Sequence, residues 1–178
     1  MKKPEIRHFE KIGSTNDYAI NLIITDGKID SDMAIIADQQ TGGRGRLNGR
    51  VWESPRGNFY CSYIINLKNL KVPQEKTNSL TLVAVNALQK YLPKLIKSNM
   101  IETKQPNDIL VKGKKLAGVL TEISYPYAVI GIGINLTNSP IERSTDLQTE
   151  FNFLVKPMDL VENLYGFLIE AIAECYFL

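Results

Sequence analysis

The sequence predicts an α+β fold in which a mixed β-sheet is flanked by helices. Few segments have helical periodicity, and short apolar, β-rich segments outnumber them. Several of these segments adjoin through tight turns that suit hairpins, whereas a regularly alternating α/β fold needs a helix between successive strands. At 178 residues, with 44% hydrophobic and 22% charged residues, the chain is predicted to be one domain over residues 1–178.

The individual elements are predicted from local patterns. Ser14-Thr15-Asn16 provides the residue types that cap a first helix, and apolar spacing of three and four predicts a second over 73–92. Pro157 suits the first turn of a final helix. Strands are predicted at 33–37, 59–67, 100–104, 109–111, 116–124 and 127–135. The Gly- and Arg-rich stretch 40–58 is predicted to be a loop.

Charge and composition exclude several classes of function. A net charge of +2 is too small to indicate nucleic acid or an anionic membrane as a partner. Two cysteines without C-x-x-C spacing and one histidine argue against a disulfide framework or a zinc site. The N-terminus lacks the apolar region of a signal peptide, and no apolar run would span a bilayer, so a cytoplasmic protein is expected.

Residues 41–52, hereafter the arginine loop, are the strongest candidate for chemistry. Arg44, Arg46 and Arg50 alternate with glycines, and Trp52 follows them. Glycine allows a backbone to approach a ligand closely, and arginine offers a planar fork of donors that suits phosphate and carboxylate. Trp52 offers a flat face for a purine. The alternative is a solvated basic loop that touches RNA.

Two further segments, 104–118 and 131–135, each have a possible chemical role and a structural one. Asn107 and Asp108 form a turn but could also orient a nucleotide or magnesium, and Lys115 precedes an apolar strand that would fix its position. The Gly-Ile-Gly-Ile-Asn segment 131–135 follows a strand and is not a dinucleotide fingerprint. Because the chain has neither a P-loop nor a G-x-S-x-G motif, an ATP user here needs a different phosphate clamp.

Taken in order, these motifs resemble the biotin–protein ligase family. They are Ser-Thr-Asn at 14–16, Gly-Arg-Gly-Arg at 43–46, Gly-Arg-x-Trp at 49–52, Pro-Asn-Asp at 106–108, Gly-Lys-Lys-Leu-Ala-Gly at 113–118 and Gly-Ile-Gly-Ile-Asn at 131–135. The resemblance covers nearly the whole chain. It implies a mixed sheet flanked by helices, as in lipoate ligases and the cores of class II aminoacyl-tRNA synthetases.

The resemblance also implies an activity, its substrates and a partner. The family activates biotin with ATP and Mg²⁺ to biotinyl-5′-AMP, and transfers biotin to a lysine of a biotin carboxyl carrier domain of acetyl-CoA carboxylase or a related carboxylase. The expectation is a catalytic domain without an N-terminal DNA-binding domain or a clear C-terminal β-barrel, with no DNA or membrane partner. A homodimer and the metal ligands stay open.

Residue roles are carried over from the same motifs. The residues implied for biotin are Ser14, Thr15, Asn16, Gln40, Gly43, Arg44, Gly45, Arg46, Lys115, Gly118 and Gly131. Those implied for ATP are Arg46, Arg50, Trp52, Asn107, Asp108 and Asn135. Arg46, Lys115 and Asp108 are the implied catalytic residues, whereas Lys112 and Lys114 are expected to be solvated.

The sequence departs from the family at two positions, and two other functions stay open. Gln105 stands where the family usually has Trp, and Asn48 adds a residue between Arg46 and Arg50. A lipoate or octanoate transferase of the same superfamily is one alternative, although a fatty chain would favour an apolar tunnel over the polar set Ser14, Thr15 and Gln40. A non-catalytic module that binds through its basic loop is the other.

Overall fold

A seven-stranded sheet forms the middle layer of the protein in the computed structural model, which describes residues 3–47 and 49–177. The strands are β1 Glu5–Phe9, β2 Met33–Ala37, β3 Phe59–Asn66, β4 Ile101–Lys104, β5 Asp108–Val111, β6 Lys114–Ser124 and β7 Tyr127–Ile134. Their order across the sheet is β1-β2-β3-β7-β6-β5-β4. Only the β1–β2 pair among these strands is parallel, so the predicted mixed sheet is confirmed.

The helices are α1 Thr15–Asp26, α2 Leu80–Ile96, α3 Leu147–Phe151 and α4 Pro157–Phe177. Ser14 caps α1 as predicted, because its side chain accepts a hydrogen bond from the backbone N–H of Asp17. The predicted second helix, 73–92, was wrong at both ends. Its first part is a 3-10 helix, Gln74–Ser79, and α2 continues through Pro93 to Ile96. Pro93 lies within the last turn of α2 and has no N–H to donate to the carbonyl of Gln89, so the helix lacks one hydrogen bond there.

The sheet is covered on both faces, which explains why its central strands are almost continuously apolar. On one face, Ala19 and Ile23 of α1 pack in a small core with Ile35 and Val129. On the other face, α2 and α4 contribute to a larger core with β3, β6 and β7. Within the described ranges, none of the helices has both the length and the apolar character needed to cross a membrane.

The register of β6 and β7 places glycines next to one another in the middle of the sheet. Gly118 is directly opposite Gly133, and Leu120 is opposite Gly131. These glycines leave the sheet surface without side chains at a point where other groups can approach the backbone closely. The candidate site lies over this part of the sheet.

Candidate functional site

A cavity of about 670 Å³ opens over β6 and β7. Its lining comes from the start of α1, the arginine loop, the turn between β4 and β5, and the segment after β7. It contains these residues predicted for the site: Ser14, Thr15, Asn16, Gln40, Arg44, Gly45, Arg46, Arg50, Trp52, Asn107, Asp108, Lys115, Gly118, Gly131 and Asn135. Motifs that are far apart in the sequence are therefore brought to one place.

Gly43 is the predicted site residue that the cavity lining does not include. It borders a neighbouring depression behind the arginine loop. A Cβ atom at this position would run into the carbonyl oxygen of Trp52 and would lie 2.8 Å from Ser54 Oγ. The structure thus gives Gly43 a packing role within the loop.

One end of the cavity is formed by a hydrogen-bonded polar group at the start of α1. Gln40 Oε1 accepts hydrogen bonds from the backbone N–H of Thr15 at 2.8 Å and from Thr15 Oγ1 at 3.1 Å. Gln40 Nε2 donates to Ser54 Oγ at 3.0 Å. Because both ends of the Gln40 amide have partners, its orientation is fixed by the protein.

Asn16 extends this polar group toward the sheet. Its Nδ2 donates to Glu122 Oε2 at 2.8 Å and to the carbonyl oxygen of Leu120 at 3.3 Å, while its Oδ1 accepts from Ser62 Oγ. Gly131 lies beneath the amide, and a Cβ atom there would collide with Asn16 Oδ1. Glycine at 131 is therefore needed to accommodate Asn16.

Sequence reasoning missed Ser62 and Glu122. Ser62 on β3 is completely buried, and its hydroxyl lies within hydrogen-bond distance of Asn16 Oδ1 and, at 2.7 Å, of Thr15 Oγ1. Its only signal in the sequence is a polar side chain within an otherwise apolar strand. Glu122 follows Thr121 near the end of β6 and resembles an ordinary surface residue in sequence.

The described part of the arginine loop has hairpin-like backbone hydrogen bonds. The N–H of Trp52 donates to the carbonyl of Gly43 at 2.9 Å, and that of Gly45 donates to Arg50 at 2.7 Å. Nearer the tip, the N–H of Arg50 donates to Leu47 at 3.0 Å. Asn48, the predicted extra residue, lies outside the described residues.

The three arginines of the loop differ in their partners. Arg44 Nη2 lies 2.7 Å from Asp17 Oδ1 and 2.6 Å from Glu122 Oε2. The hydrogen bond to Glu122 is the main reason that the pKa of Arg44 is raised above its ordinary value. Arg46 and Arg50 line the cavity and form no ion pair with any of the residues described here. They are the loop cations available to an anion.

Trp52 lies on the glycines of the sheet. A Cβ atom on Gly133 would be 2.7 Å from Trp52 Cε2, and one on Gly118 would be 3.0 Å from Trp52 Cζ3. The indole Nε1 is buried and has no hydrogen-bond partner among the described residues. Both glycines are therefore required for the indole to rest flat on β6 and β7.

Lys115 reaches the same region from β6. Its Nζ lies 4.8 Å from the centre of the Trp52 ring and 2.7 Å from Asp108 Oδ1. At this distance the contact with Asp108 is an ion pair. Both side chains are about three-quarters buried, with 28% of Lys115 and 23% of Asp108 exposed.

The backbone of Lys115 is held by the segment that follows β7. Its N–H donates to Arg143 at 3.1 Å, and its carbonyl accepts from the N–H of Thr145 at 2.9 Å. Asn135 Nδ2 donates to the carbonyls of Thr145 and Lys115, which leaves the buried Oδ1 of Asn135 without a partner in the described chain. Asn135 thus supports Lys115 and also offers an acceptor to the cavity.

Sequence reasoning also missed the part of this segment that lines the cavity: Pro140, Ile141, Arg143 and Ser144. Its mostly polar composition, with one proline, is that of an ordinary loop, and no motif marks it. Gln105, the residue that departs from the family pattern, also lines the cavity.

Lys112 is exposed, as predicted, with 58% of its side chain accessible, but it also forms an ion pair that the sequence did not predict. Its Nζ lies 2.9 Å from Glu150 Oε2, and the side chain of Glu150 is only 9% exposed. Thr145 Oγ1 donates to the other oxygen of Glu150 at 2.7 Å. Both contacts lower the pKa of Glu150, Lys112 being the larger cause. Lys112 therefore ties the β5–β6 turn to α3.

The model of the biotin/lipoate A/B protein ligase family matches residues 9–135. The chain belongs to this ligase family. A biotin–[acetyl-CoA-carboxylase] ligase of Mycobacterium tuberculosis is 36% identical over 137 residues, which are 75% of this chain and 50% of that protein. The bifunctional ligase/repressor BirA of Escherichia coli is 36% identical over 139 residues, or 75% of this chain and 41% of that protein. This ligase-family chain thus spans about half the length of these curated relatives, or less.

Solved structures of ligases share the fold of this family member. The biotin protein ligase of Leishmania major in complex with biotinyl-5-AMP has a TM-score of 0.84 and 29% identity, covering 97% of this chain and 76% of that one. The biotin protein ligase of Aquifex aeolicus in complex with biotin and ATP has a TM-score of 0.74 and 27% identity, covering 96% and 69%. The LipL1 structure from P. falciparum, at 14% identity and a TM-score of 0.51, shares the fold alone.

Proposed function

We propose that this chain is the catalytic core of a biotin–protein ligase, which activates biotin with ATP to biotinyl-5′-AMP and transfers it to a carrier lysine. The observation that carries the proposal is one cavity that joins a polar pocket at α1 to Lys115 and to two loop arginines without an ion pair in the described chain. The names of the Mycobacterium tuberculosis and Leishmania major relatives support the same activity.

The end of the cavity near α1 suits the ureido ring of biotin. A ureido group needs both donors and acceptors, and Ser14, Thr15, Asn16 and Gln40 place hydroxyl and amide groups there. Their mutual hydrogen bonds fix them before a ligand arrives, which reduces the entropy lost on binding. Gly131 contributes by leaving room for Asn16.

The opposite end suits the phosphates and the purine of ATP. In the reaction, the biotin carboxylate attacks the α-phosphorus, the bond to the bridging oxygen breaks, and pyrophosphate leaves with its electron pair. Two anions must approach each other, so fixed cations such as Arg46, Arg50 and Lys115 lower the barrier. Trp52 offers an aromatic face to the purine, and Asn107, Asp108 and Asn135 lie on the same side.

The residues of the cavity fit a magnesium ion that arrives with ATP. The buried Oδ1 of Asn135 accepts no hydrogen bond from the described residues, and Asp108 adds a carboxylate whose Oδ1 is paired with Lys115. Oxygen is the donor that Mg²⁺ prefers. No group of three or more His, Cys, Asp or Glu side chains in the described ranges could hold an ion alone. The ion would reduce the negative charge of the pyrophosphate that leaves.

Transfer completes the proposed function. The amine of an acceptor lysine attacks the carbonyl of the mixed anhydride, AMP leaves, and an amide forms. We propose a biotin carboxyl carrier domain of acetyl-CoA carboxylase or a related carboxylase as the acceptor, because the relatives in Mycobacterium tuberculosis and Paracoccus denitrificans are biotin–[acetyl-CoA-carboxylase] ligases.

The two alternatives lead to different expectations. A lipoate or octanoate transferase should have an apolar channel where this cavity has the group around Gln40 and Asn16. A basic binding module would use exposed cations such as Arg46 and Arg50, but it does not need the largely buried pair of Lys115 with Asp108. Neither alternative accounts for both ends of the cavity.

The proposal is tested by direct detection of the adenylate. The protein is incubated with magnesium, α-labelled ATP and one acid at a time: biotin, lipoate or octanoate. Labelled biotinyl-AMP should form with biotin and little adenylate with the other two acids. Adenylate with lipoate alone would favour the transferase alternative, and no adenylate with any acid would refute the proposed activation.

A further inference from the structure

Glu122 connects two parts of the site that come from different elements. Its Oε2 accepts from Asn16 Nδ2 at 2.8 Å and from Arg44 Nη2 at 2.6 Å. Asn16 belongs to the first turn of α1, and Arg44 to the arginine loop. Glu122 itself is not among the residues that line the cavity. Any influence of Glu122 on a ligand must therefore pass through its two partners.

The contact with Asn16 determines which way that amide points. Oδ1 faces the hydroxyl donor of Ser62, and Nδ2 faces two acceptors, the carbonyl of Leu120 and the carboxylate of Glu122. Of the two acceptors, Glu122 is closer and carries a charge, so it contributes the stronger hydrogen bond. Without Glu122, the orientation of the Asn16 amide with Oδ1 toward Ser62 loses its strongest hydrogen bond.

The contact with Arg44 holds the base of the loop. Arg44 has a second partner, Asp17, at 2.7 Å, but half of the Asp17 side chain is exposed, against 29% of Glu122. An ion pair that is shielded from solvent is less screened than an exposed one. The two carboxylates thus provide a natural comparison, since both pair with Arg44 but only Glu122 also binds Asn16.

We propose that Glu122 is a positioning residue for the biotin site, which fixes the amide of Asn16 and holds the arginine loop through Arg44. One carboxylate then links the geometry of the pocket to the position of the loop. Arg44 acts mainly as the loop's attachment to β6, while Arg46 and Arg50 remain for the ligand's anionic groups. The identity of the ligand in this proposal rests on the proposed function.

The test compares Glu122→Gln with Asp17→Asn in the same chain. Glutamine keeps the size of the side chain but removes the charge that pairs with Arg44. We expect Glu122→Gln to raise the biotin Kd, measured by calorimetry without ATP, and the KM for biotin about tenfold, as for loss of a charge-assisted hydrogen bond. The KM for ATP should change less than about twofold. Asp17→Asn should leave the biotin Kd within about twofold.

A protease readout tests the link to the loop without any ligand. Trypsin must extract the Arg44 side chain, so cutting after Arg44, followed by mass spectrometry, should be faster in Glu122→Gln than in wild type. If Glu122→Gln does not fold, Glu122→Asp, which keeps the charge at shorter reach, replaces it and should show smaller changes in the same directions.

An unchanged biotin Kd in Glu122→Gln, or equal rises in the KM values for biotin and ATP, would overturn the proposal. Unchanged cutting at Arg44 would overturn it too. Absence of biotin binding by the wild-type protein would instead refute the proposed function, and the protease comparison would still decide whether Glu122 holds the loop.

Discussion

Lys115 is the residue whose position depends most clearly on the rest of the fold. Its backbone is held by Arg143 and Thr145, and its amine lies between Asp108 and the ring of Trp52. A cation in a partly dry site attracts an anion more strongly than it would in bulk water. The neighbouring Lys114 is exposed and forms no ion pair with the described residues.

We expect Lys115→Gln to reduce the rate of adenylate formation at least about 100-fold, with little loss of fold stability, because it removes a cation from the charge-developing region. Lys114→Gln is the matched control and should retain nearly the wild-type rate. The measurement is the initial rate of biotinyl-AMP formation, at several salt concentrations. Similar, modest losses in both variants that shrink together as salt rises would indicate diffuse basic binding.

Because Lys112 is paired with Glu150, it is a poor control for Lys115→Gln, and Lys114 is the better one. Because Lys112 binds Glu150, which also accepts from Thr145, its removal can disturb the segment that holds Lys115. A loss of rate in Lys112→Gln would therefore not argue for a catalytic role. Lys114 has no such contact and isolates the contribution of charge.

Among the elements, the arginine loop combines a paired base with an exposed tip. Arg44 is 39% exposed but is attached to Asp17 and Glu122, whereas the exposed Arg46 and Arg50 form no ion pair with the described residues. Exposed backbone with few apolar contacts opens more readily than buried structure. The loop should therefore become accessible at its tip before its base.

We expect trypsin to cut the ligand-free protein after Arg46 or Arg50 sooner than after Arg44. Biotin together with ATP should slow all of these cuts at least about fivefold, because the loop would close over the product and lose local opening. Mass spectrometry of timed digests identifies each site. Cleavage that starts at Arg44, or equal cleavage rates with and without biotin and ATP, would contradict a loop that opens at its tip and closes over the product.

In the central strand β7, the contact between Gly133 and Trp52 can be tested by substitution. Gly133→Ala places a Cβ atom 2.7 Å from Trp52 Cε2, so the indole must move. We expect the KM for ATP to rise about tenfold and that for biotin to change little, because Trp52 lies on the proposed nucleotide side.

Gly166→Ala is the matched control for that substitution. Nothing lies within 4 Å of a Cβ atom on Gly166 in α4, and alanine favours a helix over glycine. Its kinetic constants should equal those of wild type. Unchanged KM values in Gly133→Ala would show that the packing of the indole on β7 has no part in nucleotide binding.

For the whole molecule, apolar patterning predicted most elements that have a buried side, but it missed β1 at the edge of the sheet and the short helix α3. The sequence predicted strand 33–37 with the bounds of β2, which is completely buried. It missed β1, whose residues Glu5-Ile6-Arg7-His8-Phe9 form a partly exposed edge strand that depends on pairing with β2. It also missed α3, a single turn capped by Asp146.

The same distinction applies to the site. The arginine loop, Lys115 and the glycines could be predicted because each belongs to a short motif of unusual composition. Ser62, Glu122 and Arg143 could not, since each is an ordinary residue locally and reaches the site only through sheet register or a long-range backbone contact. Tertiary pairing thus supplied the residues that hold the predicted ones in place.

The central claim is that biotin and ATP react with each other in this cavity. Exchange of labelled pyrophosphate into ATP measures it most directly, because exchange requires both substrates at one site and reversible formation of biotinyl-AMP. The wild-type protein should exchange label only when biotin and magnesium are present, and Arg46→Ala should reduce that exchange by at least about 100-fold. Exchange that does not depend on biotin, or an Arg46→Ala rate equal to that of wild type, would contradict the account.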